Sequence, residues 1–165
     1  MMDPTVLGQL VDEHAAALEL YARQWCAAPE DVVQEAFLKL VTQSQMPRRI
    51  VPWLFRVVRN QAISVLRSAR RRRKYETRAA ERHPQHLFAR EPAELDGEDA
   101  TRALQTLPEE QREVITLHVW GGLTFAEIAE VIDSSASTAH RWYLAGLNHL
   151  RERLEVSCPD PMKMP

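Results

Sequence analysis

From Val6 onward, apolar residues return at positions 6, 7, 10, 11, 14/15, 18, 21/22 and 25, the spacing of an amphipathic helix, which predicts a first helix ending near Pro29. A second helix follows directly. Glu30 and Asp31 occupy its first turn, where acids complement the helix dipole, and Val32, Val33, Ala36, Phe37, Leu40 and Val41 form its buried stripe. Residues 43–52, bounded by Pro47 and Pro52, predict a loop. A third helix begins between Val51 and Trp53 and runs into a stretch rich in arginine. At about 100° per residue, Leu54, Val57, Val58 and Val65 fall on one side, and Arg56, Arg59, Asn60, Arg67 and Arg70 share an arc opposite them. This helix has an oil face and a phosphate face. Trp53 lies on the border, placed either to close the core or to stack on an unpaired base.

The chain then changes character. Residues 75–99 are polar, mixed in charge and broken by Pro84 and Pro92, which predicts a linker. Residues 100–106 read as helical and stop before Leu107-Pro108. Pro108, Glu109 and Glu110 make a helix start, and Val114, Ile115, Leu117, His118 and Val119 carry that helix to Gly121-Gly122. Thr124 caps a short helix with Glu127 as its box partner and Ile128, Ala129 and Ile132 facing inward. After Asp133-Ser134-Ser135, a last helix carries Ala136, Ala139, Trp142, Tyr143, Gly146, Leu147 and Leu150 on one side. No strand pattern occurs. A short capped helix, a tight turn and a longer second helix predict a helix-turn-helix, with small Ala129 where two crossing helices come close.

Charge sharpens this outline. The net charge of -2 conceals eleven Arg or Lys against one acid over residues 48–78, whereas residues 79–165 hold eight bases and fifteen acids. One segment seeks polyanions and the rest does not. The face of the last helix opposite its core carries Ser137, Thr138, Arg141, Leu144, Ala145 and Asn148, with one permanent positive charge, so its phosphate-driven affinity is expected to be weak. No apolar run is long enough to span a bilayer, and Met1–Leu10 lacks the order of a signal peptide, which predicts a cytoplasmic protein. The two cysteines, Cys26 and Cys158, lie at opposite ends and form no disulfide framework.

No nucleophile motif or phosphate loop points to an enzyme, and no cofactor is expected. His83 and His86 have a spacing that suits a metal, yet they lack a third ligand and read as a solvated pair, so no metal site is expected. His14, His118, His140 and His149 are scattered singly.

Four blocks carry a family resemblance: Glu30-Asp31-Val32-Val33-Gln34-Glu35-Ala36-Phe37-Leu38-Lys39-Leu40, Trp53-Leu54-Phe55-Arg56-Val57-Val58-Arg59-Asn60, Leu107-Pro108-Glu109-Glu110-Gln111-Arg112-Glu113-Val114, and Gly122-Leu123-Thr124-Phe125-Ala126-Glu127-Ile128-Ala129-Glu130. In order and spacing the chain resembles regions 2 and 4 of RNA polymerase sigma factors of the extracytoplasmic-function (ECF) class, over residues 5–74 and 100–155.

The resemblance implies an all-α fold of two small helical domains. These are a region 2 bundle over residues 1–74 and a region 4 helix-turn-helix over 100–156, joined by a flexible linker at 75–99 and followed by a disordered tail at 157–165. It implies a transcription initiation factor that is not an enzyme, with RNA polymerase core, promoter DNA and an anti-sigma factor or other regulator as partners. Asp31, Gln34, Glu35 and Lys39 then have a surface task against the polymerase clamp, with Phe37 as a packing residue. Arg49, Trp53, Arg56, Arg59, Asn60 and Arg67 are expected to hold the separated minus-ten strand, which requires phosphate neutralisation and a ring or pocket for an unstacked base. Residues 43–49 fall where the family captures a base. Ser137, Thr138, His140, Arg141 and Asn148 are expected at the minus-thirty-five element. The family usually has Gly in the helix-turn-helix turn and a last helix rich in bases; this chain has Asp133-Ser134-Ser135 and few bases. Two alternatives therefore stand beside it: a sigma-like regulatory interaction module, and a helix-turn-helix regulator with weakened DNA binding.

Overall fold

The structure is a computed structural model that describes residues 3–79 and 104–157, with side chains over 3–75 and 104–153. Among the described residues it is all-α, with six helices and no strand. Three helices come from the N-terminal block: α1 (Pro4–Ala22), α2 (Pro29–Thr42) and α3 (Ile50–Ala79). Three come from the C-terminal block: α4 (Glu109–Val119), α5 (Phe125–Ile132) and α6 (Ala136–Ser157).

Helix α1 starts where Asp3 caps it, the carboxylate accepting from the Thr5 amide at 2.7 Å, with Pro4 at the first position. It ends at Ala22, earlier than the apolar period suggested. Pro29 opens α2 and disfavours helical geometry at Ala28, which sits at φ -122°, ψ 72°. The chain therefore turns over residues 23–28 and brings α2 back against α1. Trp25 is buried in that turn, which is why the period ran on past the helix.

Helix α2 buries Val32, Val33, Ala36, Phe37 and Leu40 as its pattern requires, but Val41, in the last turn before the loop, is exposed. Helix α3 begins at Ile50, so Pro52 lies in its first turn, where no intrahelical partner for its nitrogen is needed. It continues as helix to Ala79, past position 75 where a linker was expected to begin.

The buried arc of α3 also differs from its expected phase. Leu54, Phe55, Val58 and Ala62 are fully buried, whereas Val65 is exposed. Helix α3 packs against α1 and α2 on one side and against α5 on another, so its buried arc widens to include Phe55. Helix α1 likewise meets α4. The two blocks thus share one continuous core: Leu18, Tyr21, Val33 and Phe55 belong to the same apolar cluster as Val114, Leu117, Leu123 and Ile128.

Within the C-terminal block, α5 carries the expected capping box. Thr124 Oγ1 accepts from the Glu127 amide at 3.3 Å, and Glu127 Oε2 accepts from the Thr124 amide at 2.9 Å. Asp133 ends the helix in the left-handed region (φ 57°, ψ 53°), and its amide and that of Ser134 both return to the Ala129 carbonyl. A short polar side chain tolerates this conformation better than a branched one, so aspartate does here what glycine does elsewhere. Gly146 lets α6 approach α4: a Cβ there would lie 2.6 Å from Ile115 Cδ1 and 3.2 Å from Gln111 Cβ. His83, His86 and Cys158, most of the expected linker and nearly all of the expected tail lie outside the described residues.

Candidate nucleic-acid interface

The basic run lies on one continuous helix. Arg56, Asn60, Arg67 and residues 70–74 of α3 are exposed, so this helix offers a row of cations to solvent. Arg71 and Arg72, with Ser68 and Tyr75, line a shallow open depression. Trp53 is half-buried and packs on the edge of the core, which leaves part of its ring accessible at the start of the same helix. Met46, in the loop ahead of α3, is also exposed.

Arg59 is not on that open row. Its Nε donates to Glu113 Oε1 at 2.6 Å, and the same oxygen accepts from the Tyr21 hydroxyl at 2.6 Å. Glu113 belongs to α4 and its side chain is 6% exposed; Tyr21, from α1, is fully buried. Burial pulls the Arg59 guanidinium down, but the hydrogen bond and charge of Glu113 outweigh it and leave its pKa raised. Burial, with the Glu113 charge adding to it, holds the Tyr21 phenol well above its ordinary value, so it stays a donor.

Other contacts join the blocks around this centre. Trp25 Nε1 donates to Glu109 Oε1 at 2.9 Å, and Arg112 Nε to Gln24 Oε1 at 3.3 Å. Arg49 Nη1 lies 3.4 Å from Glu130 Oε1 at an exposed edge. Two residues from the expected minus-ten set, Arg49 and Arg59, thus face carboxylates of the C-terminal block. Sequence reasoning missed Tyr21 and Glu113. The available signal was an acid on the apolar face of α4, one turn before buried Leu117, since a carboxylate there requires a partner.

On α2, Asp31, Gln34, Glu35 and Lys39 are exposed together with Leu38, and Phe37 is buried beneath them. Lys39 Nζ stands 3.9 Å from Glu35 Oε1 one turn away. The α2 surface is therefore polar with an apolar centre at Leu38.

The helix-turn-helix is held by aromatic packing. Phe125 stacks on His118 at 4.6 Å and meets the rings of His140 and Tyr143 edge-on at 4.9 and 5.4 Å. His118 Nδ1 bonds the Leu123 carbonyl at 2.8 Å. Ser135 caps α6, its hydroxyl accepting from the Thr138 amide at 3.1 Å. Thr138 is therefore partly engaged in its own helix start. Ser137, His140, Arg141 and Asn148 are exposed, and so are Leu144 and Leu147 on the same helix. The exposed surface of α6 is mixed, with Leu144 and Leu147 beside Arg141, and Arg151 and Arg153 further along the helix. No described helix is long and apolar enough to cross a membrane.

Comparison with known proteins gives this geometry a family. Residues 10–72 match the family described as sigma-70 region 2, and residues 98–150 match sigma-70, region 4. The chain is 34% identical over 137 residues to the ECF RNA polymerase sigma factor SigL of Mycobacterium tuberculosis, covering 77% of this chain and 76% of that protein. The fold is similar to that of the sigma factor RpoE of Bartonella quintana, solved in complex with the anti-sigma factor NepR. That likeness has a TM-score of 0.68 at 24% identity over 92% of this chain and 98% of the other. It is also similar to CnrH in complex with the cytosolic domain of CnrY, with a TM-score of 0.62 at 24% identity over 94% and 92%. With both regions matched in order and a relative aligned along most of its length, the chain belongs to the ECF RNA polymerase sigma factors and is a transcription initiation factor.

Proposed function

We propose that this sigma factor binds RNA polymerase core through α2 and holds the separated minus-ten strand on α3. Asp31, Gln34, Glu35 and Lys39 meet the clamp coiled coil of the largest subunit, with Phe37 setting the helix against α1 and α3. Arg56, Asn60 and Arg67, with Arg49 and Arg59 once these are released from their carboxylate partners, neutralise phosphates, and Trp53 stacks on an unpaired base. The observation that carries this reading is the exposed row of cations along one helix beside a half-buried tryptophan at its start. Residues 1–74 act as the polymerase and minus-ten unit and 100–156 as the upstream unit, with 75–99 as the linker and 157–165 as a tail. An anti-sigma factor is the expected regulator, since the neighbour RpoE was solved in complex with the anti-sigma factor NepR. The protein works in the cytoplasm without catalysing a reaction of its own.

Ser137, Thr138, His140, Arg141 and Asn148 dock the minus-thirty-five element weakly, because one arginine releases few counterions. Exposed Leu144 and Leu147 on that same helix favour a second reading, in which α6 serves protein contact more than duplex recognition. The test is transcription from a promoter library with polymerase core and wild-type or Arg56→Ala/Arg67→Ala protein. Core binding with initiation by the wild type, and core binding without initiation by the variant, is the expected result. Failure of the wild type to bind core would overturn the reading.

A further inference from the structure

Lys39, on the proposed polymerase-binding surface of α2, is tied to the neighbouring helix by Gln61. Gln61 is half-buried on α3, which packs against α2. With its amide turned the way its neighbours require, the nitrogen donates to the Val32 carbonyl at 3.3 Å and the oxygen accepts from Lys39 Nζ at 2.9 Å. The opposite orientation would set the amide nitrogen against an ammonium and the oxygen against a carbonyl, so only this one satisfies all three groups. One glutamine thus bridges two positions of α2 that lie about two turns apart.

We infer that Gln61 is a positioning residue for polymerase binding: it holds the Lys39 ammonium in place at the seam between α2 and α3, ready for an acceptor group on the polymerase. This inference deepens the proposed function and rests on its assignment of α2 to the polymerase.

A lysine on an open helix face samples many rotamers, and a partner that binds it must immobilise it, which costs affinity. Here that freedom is already reduced. Glu35, one turn back and 3.9 Å from Nζ, cannot do this alone, because both side chains are about half exposed and such pairs are weak. Gln61 makes the shorter contact, and the Val32 carbonyl fixes its amide so that the acceptor does not swing away. Because the acceptor is neutral, it orients the cation without cancelling it, whereas a carboxylate in its place would do both. The position of Gln61 fits this task. It follows exposed Asn60 and precedes fully buried Ala62, at the edge where α3 turns from solvent to its packed side. The helix proposed to hold the minus-ten strand therefore also sets a cation of the polymerase-binding surface.

The experiment uses the full chain and RNA polymerase core. Dissociation constants for core are measured by competition against fluorescein-labelled wild-type protein, for wild type, Gln61→Met, Lys39→Met and the double variant. Methionine keeps an unbranched, flexible apolar stem at both positions while removing the polar groups, so packing changes little. Circular dichroism checks that each variant is folded, and urea unfolding reads stability separately. Gln61→Met should weaken core binding by about two- to tenfold, the range for one side chain that must be ordered on binding. Lys39→Met should weaken it more, and adding Gln61→Met to Lys39→Met should weaken it no further, because the amide acts only through the ammonium. Wild-type affinity in Gln61→Met beside a loss in Lys39→Met would overturn the positioning role and leave α2 as the polymerase surface. An equal loss from Gln61→Met with and without Lys39 would also overturn it, since the glutamine would then act on its own or through packing. Unchanged binding by Lys39→Met would remove Lys39 from the interface, and would overturn the inference together with that part of the proposed function.

Discussion

Replacing Tyr21 by phenylalanine removes one oxygen from the centre of the molecule. The ring keeps its edge-on contacts with Trp25 at 5.0 Å and Phe55 at 5.4 Å, so little packing is lost. The hydroxyl's 2.6 Å bond to Glu113 is lost, and the acceptor is a buried carboxylate. A hydrogen bond to a charged group contributes about 1.5–3 kcal/mol, so Tyr21→Phe should destabilise the protein by about 2 kcal/mol at neutral pH. Urea unfolding followed by circular dichroism should show this as a lower midpoint with an unchanged slope. In a thermal scan it corresponds to a fall of roughly 4–8 °C for a chain of this size.

The alkaline side gives the sharper test. The Tyr21 phenol is held well above its ordinary value near 10, first by burial and then by the Glu113 charge. Above about pH 10 the unfolded chain gives up a proton that the folded chain retains, so the wild type's stability is intact below that pH and falls as pH rises. The slope approaches about 1.4 kcal/mol per pH unit. Phenylalanine has no such proton, and every other side chain is common to the two proteins. The gap of about 2 kcal/mol should therefore close over roughly two pH units above pH 10. Stability curves that stay parallel from pH 8 to pH 12 would show that Tyr21 is not buried against a carboxylate, and the coupling of the two blocks would lose its central contact.

Two further outcomes test the local structure. Thr124→Ala should cost about 1 kcal/mol by removing the α5 cap, and it should raise the Glu127 carboxyl part of the way from its lowered position in a titration followed by nuclear magnetic resonance, since the Thr124 amide, the largest cause of that shift, remains and the hydroxyl, the second, is lost. Gly121→Ala should destabilise by about 1–3 kcal/mol in urea unfolding, because the new Cβ would lie 2.5 Å from the Leu117 carbonyl oxygen and crowd Phe55 and Leu123.

Much of this was readable in advance where local physics decides. The stripe of α2 apart from Val41, the start of α4 after Pro108, the capping box at Thr124 and the turn at 133–135 each depend on neighbours within a few residues, and each stands in the structure as the pattern requires. Patterning failed where distant elements set the environment. The first helix looked longer because Trp25 is apolar for a reason that belongs to the turn. Phe55 is buried and Val65 exposed because α3 is packed on two sides, which no single helical wheel reveals. Arg59 shared an arc with Arg56 and Asn60 in sequence, yet its partner stands 54 positions away. The resemblance to regions 2 and 4 supplied the family, but it carried no information about how these two blocks meet.

That meeting gives a second meaning to the uneven charge of the chain. The surplus of acids over 100–156 reads at first as a weakness in binding DNA. Three of those acids, Glu109, Glu113 and Glu130, sit on α4 and α5 and bond Trp25, Arg59 with Tyr21, and Arg49 of the N-terminal block. They serve the contact between blocks. The low charge of the first half of α6 is a separate matter, set by exposed Leu144 and Leu147 beside Arg141. Restoring bases on α6 should therefore strengthen upstream duplex binding without opening the molecule, whereas neutralising Glu113 should open it without helping α6. The acids on α4 and α5 join the two blocks, and the sparse charge of the α6 face bears on the duplex alone.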